Sequence, residues 1–160
     1  MKKSERMEKF VRELETNPAE EAFDACYLGY FRCFNSGRYY EAHDVLEHLW
    51  LKEGRNAPDH AYYKGLIQLA GGFVHLKLHH THPEHPKHGR RLHPACRLFL
   101  MAESNLAAYG HWHRGLDLDL TVSLARGMAF LLEGSRCNFN PWSPESAPVL
   151  PNPVVRKDSD

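Results

Sequence analysis

The sequence predicts an all-α protein, a single-domain bundle of about five helices followed by an extended proline-rich C-terminal tail. Apolar residues recur at helical spacing along most of the chain, and no segment shows the sustained alternation of a strand. Glycine, asparagine and proline clusters interrupt this periodicity where helices are expected to begin and end. With 160 residues the chain is long enough to bury one sizeable core.

The chain is expected to divide into three parts. Residues 1–16 form an N-terminal arm or short polar helix, residues 17–139 form the helical domain, and residues 140–160 form the tail. Five prolines follow Asn140, and they disfavour regular helix there. Trp142 is expected to dock the tail on the domain.

The first two helices of the domain are bounded by local signals. Asn17-Pro18 is a favourable pair for a helix N-terminus and starts a helix through about Phe34. The helix ends in residues 35–37 (Asn-Ser-Gly), because asparagine and glycine readily adopt the left-handed conformation found after helix C-termini. The second helix covers about residues 38–52.

The third helix begins at Pro58 or Asp59 and continues to about Leu78. It is apolar around most of its circumference, which predicts a central, buried position. Residues 79–93 are rich in histidine and proline and are predicted to form a loop.

Two further helices are expected in the C-terminal half. The fourth covers about residues 94–109 and is followed by a connection over residues 110–115. Asp117 or Asp119 caps the fifth helix, which ends near Gly134.

Charge and composition exclude several classes of protein. Lysine plus arginine and aspartate plus glutamate both number 20, so the chain carries no electrostatic footprint for nucleic acid or an anionic membrane. It has no apolar run long enough for a membrane span, and its charged N-terminus lacks the apolar stretch of a signal peptide. Cys26 and Cys33 are expected about 10 Å apart on one helix, too far for a disulfide. A cytoplasmic protein with reduced cysteines is therefore expected.

Six of the 12 histidines cluster at positions 79, 80, 82, 85, 88 and 93. Histidine-rich tracts can bind metal, but Pro83 and Pro86 disfavour a preformed cage. Adventitious binding of zinc or nickel is the simpler expectation for this tract. With an unperturbed pKa of about 6.5, the histidines also make the net charge depend on pH in the acidic range.

Two polar stripes on the second and third helices form the candidate functional site. The first contains Tyr39, Tyr40, His43, Leu46, Glu47 and Trp50, and the second contains Gly65, Gln68, Gly71, Gly72, His75 and His79. The apolar residues between them are expected in the core: Val45, Leu49, Leu66, Ile67, Leu69, Ala70, Phe73, Val74 and Leu76. Imidazole, carboxylate and amide groups in an apolar region must pair with one another, with water or with a metal. The stripes are therefore either a buried hydrogen-bond network or an active site.

His43 and Glu47 are four residues apart, so their side chains meet on one helix face. Together with His75 they make a two-histidine, one-carboxylate set with an open position for water, which is typical of hydrolytic zinc or, with facial geometry, of iron. His43 and Glu47 are the expected catalytic residues, and one divalent ion, Zn or Fe, is the expected cofactor. The helix register stays open, since His43 could lie level with residues 68–72 or, after an offset of one turn, with His75.

Other stripe residues are expected around this site. Gln68 lies about 10 Å from His75 along the helix axis, so it would orient a ligand or contact the substrate rather than share the ion. His79 follows His75 by one turn and could join the stripe. Trp50 is expected as a wall of the core and Tyr40 as a packing residue whose hydroxyl reaches a polar partner.

Three more positions near the site have simpler explanations. Glu41 points away from His43 and sits in the first helical turn, where its charge complements free backbone N–H groups. Gly71 and Gly72 each disfavour helix by about 1 kcal/mol relative to alanine. Either close helix packing or room for a ligand beside Glu47 would explain the two glycines.

The run FNSGRYYEAHDVLEHLW at residues 34–50, followed by GLIQLA at residues 65–70 and by His75, resembles domain-of-unknown-function family 309. Members of this family are small all-helical proteins often labelled predicted metal-dependent hydrolases. The resemblance covers residues 20–80 and implies functional roles at its motif positions: Glu41, His43, Glu47, Trp50, Gln68 and His75. After Leu78 the chain departs from the family pattern, since a longer His/Pro loop stands where that pattern has a short Gly-Asn turn.

Two functions are consistent with these observations. In the first, the chain is a metal-dependent hydrolase of an unidentified small molecule, and the ion lowers the pKa of its bound water. In the second, it is a non-enzymatic helical binding or scaffold domain whose His/Glu/Gln stripe is a buried structural network. A small-ligand pocket without metal is a third alternative, and a homo-oligomer is compatible with each of them.

Overall fold

The structure, a computed structural model, describes residues 2–14 and 23–155. The α-helices in these residues are α1 (Lys3–Leu14), α2 (Ala25–Asn35), α3 (Tyr39–Glu53), α4 (His60–Thr81), α5 (Leu92–Ala107) and α6 (Leu118–Gly134). Short 3-10 helices occur at His88–Arg90 and Pro144–Ser146. The all-α prediction is confirmed.

A small antiparallel hairpin separates α5 from α6. Its strands are β1 (Trp112–His113) and β2 (Leu116–Asp117), with His113 opposite Leu116. Arg114 and Gly115 form the turn with φ values of 46° and 76°, the paired positive φ that a tight hairpin turn requires. The expectation of a plain connection over residues 110–115, without strand, was therefore wrong.

Helix α4 lies between α3 and α5, as predicted from its apolar circumference, and α6 packs on α5. The Phe73 ring on α4 is fully buried and contacts the rings of Phe34, Tyr39 and Phe99 at centroid distances of 5.4, 5.2 and 5.0 Å. Of the core residues predicted around the stripes, all are buried except Val74, which is half-buried. This aromatic centre holds α2, α3, α4 and α5 together.

Helix α2 begins later than predicted. Asp24 has extended backbone angles, and its carboxylate accepts a hydrogen bond from the Cys26 N–H at 2.7 Å. This N-cap starts the helix at Ala25. The predicted start at Asn17-Pro18 lies outside the described residues.

Helix α4 and the following loop also differ from the predicted bounds. Helix α4 continues to Thr81, three residues past its expected end, and α5 begins at Leu92 rather than Pro94. Pro94 remains in the first turn of α5, where the missing N–H of proline has no helical partner to lose.

Residues 140–155 of the C-terminal tail pack along the domain and are without regular structure except for the 3-10 helix at Pro144–Ser146. Trp142 is buried, as predicted, and its indole N–H donates to the Tyr39 hydroxyl at 3.0 Å. Further on, Asn35 and Leu150 exchange two hydrogen bonds, and the Val154 N–H donates to the Gly115 carbonyl at 2.9 Å. The tail therefore connects the α3–α4 end of the bundle to the hairpin.

Two negative findings concern the described part of the chain. None of its helices combines the length and the apolar character needed to cross a bilayer. Cys26 and Cys33 are not joined by a disulfide.

Candidate functional site

The register of α3 and α4 follows the first of the two alternatives. A Cβ atom at Gly71 would lie 4.0 Å from Cδ2 of His43, so His43 is level with Gly71. At the other end of the pair the Trp50 ring stacks on the His60 ring at 4.9 Å and donates its indole N–H to the His60 carbonyl at 3.1 Å. Trp50 is half-buried, and these two contacts hold α3 against the first turn of α4.

His43, Asp44 and Glu47 form an acidic-histidine cluster on α3. Nδ1 of His43 lies 3.1 Å from an Asp44 carboxylate oxygen, and Nε2 lies 3.9 Å from one of Glu47. The Lys3 ammonium of α1 lies 3.6 Å from Asp44 and 3.7 Å from Glu47, and the pKa of Lys3 is raised, chiefly by Asp44. The His43 and Glu47 side chains are each 31% exposed. The predicted meeting of these two side chains is confirmed, and Asp44 and Lys3 are additions that the spacing argument missed.

His75 faces the loop after α4. Its Nδ1 accepts a hydrogen bond from Nη1 of Arg91 at 2.8 Å, and Nε of Arg91 donates to Nδ1 of His88 at 2.7 Å. Burial, with the positive charges of Arg91 and Arg97 as further causes, lowers the pKa of His75 to about 4. His75 is therefore neutral near pH 7 and fastens α4 to the segment that precedes α5.

The predicted ligands do not converge in this conformation. Among residues 2–14 and 23–155, no three His, Cys, Asp or Glu side chains are grouped closely enough to hold a metal ion. His43 and Glu47 are neighbours, but Nδ1 of His75 is hydrogen-bonded to Arg91. The arrangement consequently does not fit an ion held by three protein ligands. The assignment of His43, Glu47 and His75 as metal ligands stays a prediction.

Gln68 and His79 connect α4 to other elements. The Gln68 side-chain carbonyl accepts a hydrogen bond from Nδ2 of Asn105 on α5 at 2.7 Å. Nδ2 of Asn140, in the tail, donates to the Leu76 carbonyl at 2.7 Å and lies 3.1 Å from Nδ1 of His79. These polar members of the second stripe make contacts between elements of the fold.

Tyr40 and Glu41 line a surface groove instead of the stripe. Tyr40 is 62% exposed, which corrects its interpretation as a packing residue, and its ring lies 6.4 Å from that of His43. Glu41 forms a loose ion pair with Arg38 at 3.9 Å. The groove has a volume of about 370 Å³ and is lined by Arg38, Tyr39, Tyr40, Glu41, Val74, Lys77, Leu78, Thr81 and His82. Tyr40 is exposed because it lies on the open side of the first turn of α3.

Gly71 and Gly72 have different neighbours. A Cβ atom at Gly72 would come within 2.5 Å of the buried Phe99 ring, whereas one at Gly71 would first meet the end of the half-buried Leu98 side chain at 3.2 Å. Close packing of α4 on α5 therefore explains Gly72. The same reason holds at Gly65, where a Cβ atom would lie 2.8 Å from Leu106.

Replacing Gly72 with alanine is expected to lower the free energy of unfolding by about 2 kcal/mol, because the Phe99 ring must move in a packed core. Gly71→Ala is the matched control and should change stability by less than about 0.5 kcal/mol, since the gain in helix propensity offsets a small shift of Leu98. Urea denaturation of both variants measures the difference. If the two variants are equally stable, close packing against Phe99 does not explain the glycine at position 72.

A second polar cluster was missed by the sequence analysis, which assigned residues 110–115 to a plain connection. Nε2 of His113 lies 2.7 Å from one Asp59 oxygen, and Nη1 of Arg114 donates to the other at 3.1 Å. The Arg114 guanidinium also lies over the rings of Tyr27 and Tyr63, at 5.4 and 5.7 Å. Asp59 stands before α4 but makes no side-chain cap hydrogen bond, since its carboxylate is engaged by the hairpin.

Polar atoms without a hydrogen-bond partner are concentrated at this end of the bundle. In the part of the chain that the structure describes, the buried ones are Nδ1 of His60, the hydroxyl of Tyr63 and Nε of Arg114. Burial raises the pKa of Tyr63 well above its ordinary value, and Arg114 opposes this shift. No sequence signal could have found this cluster, because its pairs are separated by more than 50 residues.

Residues 27–83 match the family model described as Domain of unknown function (DUF309). The matched segment runs from α2 through α4 to the start of the following loop and contains both stripes, so the resemblance is confirmed over this part of the chain. The chain matches no curated protein and no solved structure.

Proposed function

We propose, taking the match of α2–α4 to this domain of unknown function as the starting point, that the chain is a non-enzymatic helical scaffold domain. The hydrogen bond between Gln68 and Asn105 carries the proposal, because it joins two adjacent helices through side chains alone. A half-buried amide with a partner on another helix favours one arrangement of the two helices over its alternatives. The domain would then work through the surfaces that this arrangement keeps in place.

Three further stripe residues support the same function. His75 is hydrogen-bonded to Arg91, His79 lies against Asn140, and Trp50 donates to His60. Each contact joins α3 or α4 to another part of the fold. Removing one partner of such a pair leaves the other unsatisfied, which destabilises the fold by about 1–3 kcal/mol.

The acidic-histidine cluster favours a metal-dependent hydrolase as a second candidate. Among the described residues, the ion pairs of His43, Asp44 and Glu47 lie within α3 or involve the exposed Lys3, so none of them connects the cluster to α4. In this candidate His43 and Glu47 would hold a Zn or Fe ion, and His75 would have to leave Arg91 to join them. A bound ion would supply a water of lowered pKa for hydrolysis.

A double-mutant cycle on Gln68→Ala and Asn105→Ala tests the scaffold. Each single variant is expected to lower the free energy of unfolding by about 1–2 kcal/mol, with a coupling of about 1 kcal/mol between the two sites. Urea denaturation with the circular dichroism signal as readout measures all four proteins.

His43→Ala and Glu47→Ala are the controls. Both side chains are partly exposed and pair with each other within α3, and the further partner of Glu47, Lys3, is itself exposed. Each variant should therefore change stability by less than about 0.5 kcal/mol. Metal content of the purified proteins is measured in parallel. Two results together would overturn the scaffold proposal in favour of the hydrolase. They are zero coupling between Gln68 and Asn105, and a stoichiometric metal ion in the wild type that His43→Ala removes.

A further inference from the structure

Helix α6 has an apolar stripe on the side that faces away from the core. Its members, the α6 outer stripe, are Leu120, Leu124, Gly127, Leu131 and Gly134. Leu124 lies at the edge of the stripe, since it is half-buried and also packs against the core. They recur at intervals of four, three, four and three residues, the spacing of a seam between two paired helices. Leu120 and Leu131 are 50% and 46% exposed. Helix α6 uses its other face, which includes Val122, Ala125, Ala129 and Leu132, to pack mainly on α5.

Among the described residues, nothing packs against the two glycines of the α6 outer stripe. A Cβ atom at Gly127 or at Gly134 would have no neighbour within 4 Å. Glycine within a helix weakens it relative to alanine, so neither helix propensity nor packing against the described residues favours Gly127, whereas Gly134 is the last residue of α6. Glycine on an apolar helix face does allow the backbone of a second helix to approach closely.

Charged side chains of α6 lie beside or beyond this stripe. Arg126 pairs with Glu103 of α5 at 2.7 Å, and Glu133 lies near Cys96 of α5. Asp119 stands at the N-terminal end of α6, and Arg136 follows its C-terminal end; both are exposed. The helix therefore has an acidic side chain at its first turn and a basic one just past its last turn.

The segments outside the described residues are poor candidates to cover the stripe. Residues 15–22 (ETNPAEEA) and 156–160 (RKDSD) contain no large apolar side chain. A partner with the same spacing of leucines and glycines would complement the stripe. The chain itself offers that partner.

We infer that the α6 outer stripe is the contact between two copies of this chain, with the two α6 helices antiparallel about a two-fold axis near Gly127. This antiparallel arrangement about Gly127 places Leu120 against the partner's Gly134 and places the two Gly127 residues next to each other. Leu120 then fills the space left by the partner's Gly134, while Leu124 and the partner's Leu131 lie within one residue of the same level. The same reversal brings Asp119 near the partner's Arg136, so that opposite charges meet at both ends of the contact. Self-complementarity of this kind is what a two-fold interface requires.

This inference goes beyond the proposed function, because the stripes on α3 and α4 take no part in it. The contact consists of one helix pair and the flanking Phe130, which is 75% exposed. Its buried area would be small for a protein interface. A dissociation constant in the micromolar range is therefore expected.

Sedimentation equilibrium of the full chain over a concentration series tests the contact. Wild type should form a dimer, and Leu131→Asp should raise the dissociation constant by roughly tenfold or more, since it places a carboxylate in the apolar contact. Leu51→Asp is the matched control, because Leu51 is a 65% exposed leucine on α3, and it should leave the dimer unchanged. A wild-type monomer up to a concentration of roughly 1 mM, or equal effects of the two variants, would overturn the inference.

Disulfide cross-linking tests the axis. In a Cys137→Ser background, Gly127→Cys should form a covalent dimer on mild oxidation, whereas Ser104→Cys, on the exposed face of α5, should not. A cross-link through Ser104→Cys at the same rate, or none through Gly127→Cys when sedimentation shows a dimer, would contradict the antiparallel arrangement about Gly127.

Discussion

Between pH 6.5 and pH 4 the free energy of unfolding is expected to fall by about 2 kcal/mol because of His75 alone. The pKa of His75 is about 4 in the folded chain, against an ordinary value of 6.5. In this window the unfolded chain binds a proton that the folded chain does not, so stability is lost as the pH decreases. The full shift corresponds to about 3 kcal/mol, and partial exposure of the ring reduces the expected loss.

His75→Gln isolates this effect. Glutamine retains a carbonyl that can accept the Arg91 hydrogen bond, and it does not titrate. Chemical denaturation at several pH values should give a smaller loss of stability for His75→Gln than for wild type, by about 2 kcal/mol between pH 6.5 and pH 4.

His111→Gln is the control for histidine titration in general. His111 is exposed, and its hydrogen bond to Asp119 raises its pKa, so any contribution from this residue has the opposite sign. The variant should retain the acid loss of wild type. Parallel pH profiles for wild type and His75→Gln would contradict the role assigned to His75.

Asp59→Ala is expected to lower the free energy of unfolding by about 3 kcal/mol. Asp59 is the common partner of His113 and Arg114, and its carboxylate is only 16% exposed. Without it the partly buried Arg114 guanidinium loses its counter-charge, while its Nε already has no hydrogen-bond partner. Leaving a charge unpaired in such a position is strongly destabilising. The hairpin should also detach from the N-terminal end of α4.

Asp119→Ala is a closely matched control. The His111–Asp119 and His113–Asp59 contacts have the same length, 2.7 Å, but the Asp119 carboxylate is 68% exposed. Exposed ion pairs contribute about 0–1 kcal/mol, so thermal and urea denaturation should show a small change for Asp119→Ala. Equal losses for the two variants would mean that burial of Asp59 is not the cause.

A second test uses Arg114. The double variant Asp59→Ala/Arg114→Met removes the unpaired charge and keeps an apolar side chain over Tyr27 and Tyr63. It should recover part of the stability that Asp59→Ala loses. The opposite outcome is that the double variant is less stable than Asp59→Ala, by the same amount that Arg114→Met alone destabilises the wild type. That result would show that the two residues act independently.

Local features of the chain predicted most of the secondary structure. Apolar periodicity placed α3 and the central α4, because helical spacing is a property of consecutive residues. The start of α2 was wrong, since Asp24 provides a cap closer to the first buried residues than Asn17-Pro18. The hairpin was missed, because two-residue strands carry no periodicity.

The part of the candidate site that lies within one helix was also predicted, because it depends on residues close together in the sequence. His43 and Glu47 meet because four residues span about one helical turn, a distance that the sequence determines without tertiary structure. The glycine pair was left with two explanations, and only the position of Phe99 on another helix favours packing at Gly72.

The sequence by itself determined an all-α chain, the faces of its helices and the proximity of His43 to Glu47. Tertiary structure alone decided that His75 meets Arg91, that Gln68 meets Asn105 and that Asp59 meets the hairpin. The physical reason is that helical geometry is set by neighbours within one turn, whereas a side chain's distant partner depends on the register and loop path of the whole bundle. A stripe of polar residues therefore identified where interactions would form, and packing selected their partners.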